Sequence, residues 1–414
     1  MDVVVKKSEI SGVAEPPPSK SYTHRAFIAA SLSGKAKIHN ALISEDTLAT
    51  INGCKKIGAK MQKKDHFLVF GTEDLRGGYF YFANSGTTLR IFTALLSMSK
   101  DVSTLDGDES LRSRPNRELA LAIRELGGKV FGDELFRAPI KVSGIMKGGD
   151  VSLKALSSQF VTALLFSLPL AKFESTVKAE VKSKPYLDVT MHVLKESCVK
   201  VEFEGDKYFI YPSNFRLREF FIPSDFSSAS YLIAAGILSG KVEIRNMYDS
   251  MLGDKKIVDV CREMGGKVEW DKENGVIRAE RSELEGIDFD ASDTPDLVPT
   301  VAMLATVAKG VTKIRNAEHL RIKETDRIKV ICENLSKLGF KVKEYRDGME
   351  IVGRSGKFFG TVDSAGDHRI AMAFSLLGLL GEIKIKNAEV VSVSYPGYFD
   401  TLKSLGAQVL TKNF

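Results

Sequence analysis

The chain has 414 residues, 43% of them hydrophobic, enough to bury more than one core, so two globular domains are the expectation. Charged residues make up 27%, and 59 Lys and Arg against 53 Asp and Glu leave a formal charge of +6 with no basic block, a balance that suits acidic small molecules as well as nucleic acid. The longest apolar runs, Tyr231 to Leu238 and Ile370 to Leu380, fall short of the ~18 residues that span a bilayer, which argues against a transmembrane helix and predicts a soluble, cytoplasmic protein.

Met1-Asp2-Val3-Val4-Val5 lacks the basic and apolar stretches of a leader and reads as a first strand, so the mature chain is expected to start at Met1. Cys54, Cys198, Cys261 and Cys332 lie far apart in helix-like segments with no CxxC pair, and read as buried free thiols in a reducing compartment. Along the chain an apolar residue, a glycine and a strand recur at nearly fixed intervals. The copies are Ile57-Gly58-Ala59-Lys60-Met61, Leu126-Gly127-Gly128-Lys129-Val130, Met264-Gly265-Gly266-Lys267-Val268, Leu338-Gly339-Phe340-Lys341-Val342 and Leu405-Gly406-Ala407-Gln408-Val409, with a degenerate Ser197-Cys198-Val199-Lys200-Val201 filling the gap. The glycine fits the end of a helix, where a positive φ costs least without a Cβ, so each unit of about 70 residues is predicted to end helix, turn, strand.

Helix starts recur in the same phase: Ser19-Lys20-Ser21, Asn84-Ser85-Gly86-Thr87, Ser157-Ser158-Gln159, Asp225-Phe226-Ser227-Ser228, Thr294-Pro295-Asp296 and Gly366-Asp367-His368-Arg369. A second helix per unit starts at Glu45-Asp46-Thr47, Arg114-Pro115, Lys184-Pro185, Gly253-Asp254, Lys323-Glu324 and Tyr395-Pro396. Polar residues at such positions are ordinarily plain caps. The cations Lys20, Arg25, Arg90, Arg114, Lys323, Arg327 and Arg369 sit at or one turn inside these starts, where positive charge opposes the helix dipole and calls for a compensating anion. If the repeats stack with their helices parallel, these starts gather into one anion pocket.

Four segments concentrate the chemistry. In Pro17-Pro18-Ser19-Lys20-Ser21-Tyr22-Thr23-His24-Arg25, Ser21 and Arg25 share a helical face with Lys20 at its mouth. Small residues in Asn84-Ser85-Gly86-Thr87-Thr88-Leu89-Arg90 let a ligand approach the backbone, and Leu156-Ser157-Ser158-Gln159-Phe160 offers neutral hydrogen-bonding side chains that bind hydroxyls or merely cap. The densest segment, His319-Leu320-Arg321-Ile322-Lys323-Glu324-Thr325-Asp326-Arg327, is read as placing Lys323 and Arg327 on one helical face with Glu324 beside them, the bland alternative being a solvated, salt-bridged helix. No GxxxxGK[ST], GxGxxG or GxSxG occurs, which lowers ATP, NAD and hydrolase readings, and the six histidines show no HExxH or tight Cys/His spacing, which argues against a zinc site.

Pro-Ser-Lys-Ser with Arg25, Asn-Ser-Gly-Thr-Thr with Arg90, Arg114-Pro115, Ser157-Ser158-Gln159, Ser183-Lys184-Pro185-Tyr186, Pro295-Asp296, Lys323-Glu324-Thr325-Asp326-Arg327 and Asp367-His368-Arg369 resemble, in order and spacing from end to end, the EPSP synthase (3-phosphoshikimate 1-carboxyvinyltransferase) family of enolpyruvyl transferases. The resemblance implies an α/β (α+β) fold of two similar domains, each of three βαβαββ repeats in an inverted α/β barrel, EPT/RTPC-like. One domain would comprise residues 1–17 and 223–414 and the other the inserted residues 18–222, with the active site in the cleft between them. It implies a shikimate-pathway transferase, the glyphosate target, that serves chorismate and aromatic amino-acid biosynthesis. The implied reaction joins phosphoenolpyruvate to shikimate 3-phosphate, giving 5-enolpyruvylshikimate 3-phosphate and phosphate without a metal or organic cofactor, by a monomer with no nucleic-acid or membrane partner.

Carried over residue by residue, the resemblance gives Asp296, Glu324, Lys20 and Lys323 the catalytic roles: Asp296 orients and deprotonates the 5-hydroxyl, Glu324 serves proton transfer at the methylene carbon, and the two lysines bridge the substrates. Lys20, Ser21, Arg25, Ser157, Ser158, Gln159, Ser183, Tyr186, Asp296 and Lys323 would hold shikimate 3-phosphate. Lys20, Gly86, Arg114, Gln159, Arg327 and Arg369 would hold phosphoenolpyruvate, supported by Asn84, Thr87, Arg90, His319 and His368. The sequence departs from the family pattern at Val393, in Val393-Ser394-Tyr395-Pro396, where Lys-Ser-Phe-Pro supplies one more cation, and at His319, where Asn is frequent. Lys384 and Lys386 lie nearby in sequence. Two rivals are a sister enzyme that transfers enolpyruvyl to UDP-N-acetylglucosamine, whose reactive Cys is missing from the loop 107–115, and a non-enzymatic ring of repeats around DNA.

Overall fold

The computed structural model describes residues 1–155 and 157–412 and divides the chain into two compact units, one of residues 1–17 and 223–414 and the other of residues 18–222. Leu156, first residue of the Leu156-Ser157-Ser158-Gln159-Phe160 segment, lies outside the described residues.

One repeat shows the plan of all six. Strand Gly149–Ala155, helix Ser158–Ser167, strand Ser175–Val181, helix Pro185–Glu196 and the hairpin strands Val201–Glu204 and Lys207–Ile210 follow one another as βαβαββ. The first two strands pair in parallel, with Val151 beside Val177, and the hairpin pairs antiparallel, with Val177 beside Tyr208 and Tyr208 beside Phe203. Each unit holds three such four-stranded sheets.

Chain ends complete the sheets. In the unit of residues 1–17 and 223–414, Asp2–Lys6 lies between Glu382–Lys386 and Gln408–Lys412, and Ile10–Ala14 runs parallel to Gly240–Ile244. In the inserted unit, Glu219–Phe221 at its C-terminal end pairs in parallel with residues 37–39 near its start. Both units are therefore closed by backbone hydrogen bonds between residues distant in sequence.

The predicted turn chemistry is present in every repeat. Gly58, Gly127, Gly265, Gly339 and Gly406 have φ between 80° and 125°, and Cys198 in the degenerate copy adopts the same left-handed turn with φ 58°. That turn lifts Cys198 out of its helix, so its thiol is exposed, correcting the expectation of four buried thiols; Cys54, Cys261 and Cys332 are buried.

Each repeat buries its first helix on all sides and its second on one face. Phe226–Ser239 and Val298–Ala305 are buried at every position, as is His368–Gly378. By contrast, Arg117–Glu125 buries Leu119, Ala120, Ala122 and Ile123 and turns its charges outward. Burying a helix end is costly unless its first N–H groups find acceptors. Ser19, Ser85, Ser157, Asp225 and Asp367 each accept one, and Ser44 forms a capping box with Thr47.

Two local expectations are corrected. Lys323 and Arg327 do not share a helical face: a 3-10 turn covers Glu318–Ile322, Lys323 is extended, and the helix begins at Arg327 because the Asp326 side chain accepts from the Lys329 N–H at 3.0 Å. Thr294 makes no side-chain cap, and a 3-10 turn Pro295–Leu297 carries Asp296 ahead of the helix Val298–Ala305. Among the described residues no helix is long and apolar enough to cross a membrane.

Candidate active site

In the inserted unit the helix Lys20–Ser31 brings its first turn to two neighbours. Lys20 Nζ lies 2.9 Å from Asp46 of the helix Glu45–Lys56. Burial pushes the Asp46 carboxyl up, but the Lys20 ammonium and His24 outweigh it and hold the group far below the usual carboxylate range. His24 is buried, which lowers its pKa, and its Nδ1 meets Thr50 Oγ1 at 2.6 Å. Thr50 continues through Thr88 to Ser85, the cap of the helix Gly86–Leu96, each step 2.6 Å.

Arg25, one turn inside the same helix, is 2% exposed. Its Nε donates to Thr190 Oγ1 at 2.8 Å, Nη1 to the Ser21 carbonyl at 2.9 Å and Nη2 to the Tyr186 carbonyl at 3.2 Å. Burial lowers its pKa to about 10. Ser21, Arg25 and Tyr186 are thus brought together, through the backbone carbonyls of Ser21 and Tyr186. Ser183 stands just ahead of the helix Pro185–Glu196, buried, with φ 63°, a strained conformation of the kind found at ligand sites.

A second cluster surrounds Gly86. A Cβ there would lie 3.0 Å from Arg114 Nη1, 3.7 Å from Arg90 Nη1 and 3.8 Å from Gln159 Oε1. Arg114 Nη2 donates to Asn84 Oδ1 and, at 3.1 Å, to Ser110 Oγ. Arg90 Nη1 donates to Gln159 Oε1, and Gln159 Nε2 donates to Thr87 Oγ1 at 2.9 Å. Asn84, Gly86, Thr87, Arg90, Arg114 and Gln159 therefore form one group around a position where an added Cβ would press on the Arg114 guanidinium. Ser157 caps the helix of Gln159 through the Gln159 N–H at 3.3 Å, and Ser158 is buried.

The other unit carries a carboxylate–guanidinium cluster. Arg327, 1% exposed, donates from Nε to Asp367 Oδ2 at 2.6 Å, from Nη1 to Asp296 Oδ1 at 2.8 Å and from Nη2 to Glu324 Oε2 at 2.6 Å. Arg369 Nη2 donates to the other Asp296 oxygen at 2.6 Å. Burial raises the Asp296 pKa, yet Arg369, Lys323 and Arg327 prevail and hold it well below 3.8. Burial lowers the Lys323 pKa against the pull of Asp296, making its ammonium a readier proton donor. His319 and His368 are both buried, the first in the 3-10 turn and the second at the start of the helix His368–Gly378.

Of the cations at helix mouths, Lys20 finds a carboxylate in Asp46, and Arg327 and Arg369 find theirs among Asp296, Glu324 and Asp367, whereas the hydrogen bonds described for Arg25, Arg90 and Arg114 run to neutral groups. Val393 closes a 3-10 turn, Ala388–Val393, and Lys384 is engaged by Asp2 at 2.9 Å. Sequence reasoning gave no role to Asp46, Asp254 or Asn116. Asp254 is 2% exposed, accepts from Ser227 Oγ, and has a carboxyl pushed up to about 7 by burial and the Asp296 charge. Its position at a helix start was the available signal; its company depends on packing.

Six βαβαββ repeats in two units, with cationic helix mouths in one and a guanidinium-bound carboxylate pair in the other, define an enolpyruvyl-transferase architecture. Solved structures share it. EPSP synthase from Acinetobacter baumannii is 25% identical with a TM-score of 0.83, covering 99% of this chain and 100% of that one. The enolpyruvyl transferase NikO from Streptomyces tendae, 17% identical, shares the fold with a TM-score of 0.80 over 99% and 98%. The 3-phosphoshikimate 1-carboxyvinyltransferase of Archaeoglobus fulgidus is 62% identical over 99% of this chain and 100% of its own length, and that of Methanothrix thermoacetophila 43% identical over 99% of each. A model of the EPSP synthase (3-phosphoshikimate 1-carboxyvinyltransferase) family matches residues 4–402. The chain belongs to the EPSP synthase family.

Proposed function

We propose that the chain transfers the enolpyruvyl group of phosphoenolpyruvate to the 5-hydroxyl of shikimate 3-phosphate, as a monomer in the cytoplasm. The proton added to C3 of phosphoenolpyruvate makes C2 electrophilic, the 5-oxygen bonds to C2, and a tetrahedral adduct forms. Loss of a C3 proton and cleavage of the C2–O bond to phosphate then give the enol ether and inorganic phosphate. The step needs an acid, a base and cations for two phosphates and a carboxylate.

The observation that carries the reading is Asp296, gripped on one oxygen by Arg327 and on the other by Arg369, with Glu324 on the same Arg327. Asp296 orients the 5-hydroxyl and takes its proton as the C2–O bond forms; a carboxylate held this low is a weak base until that oxygen has lost electron density. Glu324, with the proton-donating Lys323 beside it in sequence, serves C3. Arg25, Ser21, Ser157, Ser158, Ser183 and Tyr186 receive shikimate 3-phosphate. Arg114, Gln159 and the Gly86 backbone receive phosphoenolpyruvate together with Arg327 and Arg369, and Lys20 and Lys323 bridge the two substrates. Asn84, Thr87, Arg90, His319 and His368 support them.

Phosphate release tests the assignment. It is expected only when phosphoenolpyruvate and shikimate 3-phosphate are both present; release with UDP-N-acetylglucosamine instead would transfer the chain to the sister activity. Membership of the family leaves a clamp on DNA without an argument.

A further inference from the structure

Asn116 precedes the helix Arg117–Glu125 at the position where an asparagine side chain ordinarily accepts a first-turn N–H, and it makes no such bond. The side chain is committed elsewhere, in a site 1% exposed. Its Nδ2 donates to the carbonyls of Arg114 at 3.1 Å and Phe136 at 3.0 Å, and its Oδ1 accepts from Arg90 Nε at 3.0 Å. Two carbonyls on the amide nitrogen fix which end is which, so the oxygen must face the guanidinium.

Both ends lead to the group around Gly86. Through its nitrogen, Asn116 pins the main chain of Arg114, whose guanidinium reaches Asn84 and lies against Gly86. Through its oxygen, it sets the roll of Arg90, which packs with its guanidinium carbon 5.0 Å from the Phe160 ring centre and donates to Gln159 Oε1. That bond, with Gln159 Nε2 on Thr87, decides the direction in which the Gln159 amide presents its atoms. One buried amide thus orients two side chains that meet across Gly86 without itself facing that position.

We infer that Asn116 is a positioning residue for phosphoenolpyruvate binding, acting on Arg114 through the backbone and on Gln159 through Arg90. The inference rests on the reading that Arg114 and Gln159 receive phosphoenolpyruvate. Leucine at 116 keeps the branched outline of the side chain, is somewhat bulkier, and removes all three bonds. Aspartate keeps an acceptor for Arg90 but sets carboxylate oxygens against the two carbonyls.

The test is steady-state kinetics on Asn116→Leu, Asn116→Asp, Arg90→Met, Asn116→Leu/Arg90→Met and Arg114→Met, each checked for a parental circular dichroism spectrum and assayed well below its melting temperature. Asn116→Leu is expected to raise KM for phosphoenolpyruvate about tenfold, with KM for shikimate 3-phosphate within twofold of the parent. Asn116→Asp should raise the former severalfold. Adding Arg90→Met to Asn116→Leu should cost less than it does alone, because both variants cut one chain of contacts. If Arg114→Met raises KM for phosphoenolpyruvate but Asn116→Leu does not, or raises both KM values equally, the positioning role is overturned. If Arg114→Met leaves that KM unchanged, it is the assignment of the phosphoenolpyruvate site that fails. Should Asn116→Leu not fold, Asn116→Asp decides: an unchanged KM for phosphoenolpyruvate overturns the inference.

Discussion

Asp367 Oδ2 accepts from Arg327 Nε at 2.6 Å in a pair almost without exposure, while Asp367 Oδ1 accepts from the Arg369 N–H at 2.9 Å as the cap of the helix His368–Gly378. One carboxylate therefore fixes both guanidinium-bearing residues that hold Asp296. Removing it takes one of three carboxylates from Arg327, whose charge Asp296 and Glu324 still face, and the cap from a buried helix, which together cost at most about 3–5 kcal/mol. Asp367→Ala is expected to lose stability on that scale in denaturant melts, and Asp367→Asn, which keeps an acceptor for the cap, distinctly less. Equal midpoints for parent and Asp367→Ala would refute the assignment.

Asp254 sets a pH dependence of opposite sign to most carboxylates. Burial, then the charges of Asp296 and Asp225, raise it to about 7 from the 3.8 of an ordinary aspartate, against the Ser227 hydrogen bond and Arg369. The folded chain therefore binds more protons at this site than the unfolded chain between about pH 4 and pH 7, and the contribution to stability falls as pH rises through that window. Asp254→Asn imitates the protonated form. Relative to the parent it should gain stability from pH 4 to pH 7, by on the order of 2–4 kcal/mol, and no more above it. A difference between the two proteins that is flat with pH would count against the raised pKa.

Gly86→Ala tests how closely a ligand approaches the backbone. The new Cβ would stand 3.0 Å from Arg114 Nη1, close enough to displace the guanidinium by a few tenths of an ångström. KM for phosphoenolpyruvate is expected to rise roughly tenfold, as a charge-assisted contact is lengthened, with inhibition by glyphosate weakened in parallel. Shikimate 3-phosphate should bind as before. Unchanged constants for phosphoenolpyruvate and glyphosate would mean that no ligand atom lies near Gly86.

Asp296→Ala leaves the Arg369 guanidinium without that carboxylate, while Arg327 retains Glu324 and Asp367. Loss of a general base typically costs 10²–10⁴ in rate. Turnover should fall within about that range while the circular dichroism spectrum is retained. Near-parental turnover would remove Asp296 from the chemistry.

The sequence by itself determined the repeat and most of its punctuation. A positive φ needs glycine or a tolerant substitute, and a buried helix start needs a side-chain acceptor; both are local requirements, visible at Gly58, Gly127, Gly265, Gly339 and Gly406 and at Ser19, Ser85 and Asp367. The same local logic failed at Lys323, where the Asp326 cap delays the helix to Arg327, and at Cys198, where the glycine turn is made without a glycine and exposes the thiol. Tertiary structure alone decided the partners. Lys20 finds Asp46, Arg90 finds Asn116 and Gln159, and Arg327 gathers Asp296, Glu324 and Asp367, in each case because separate helices and turns of one unit meet. The side chain at each of these positions is a local fact, but the sign and strength of its electrostatic environment depend on distances that only the packed chain sets.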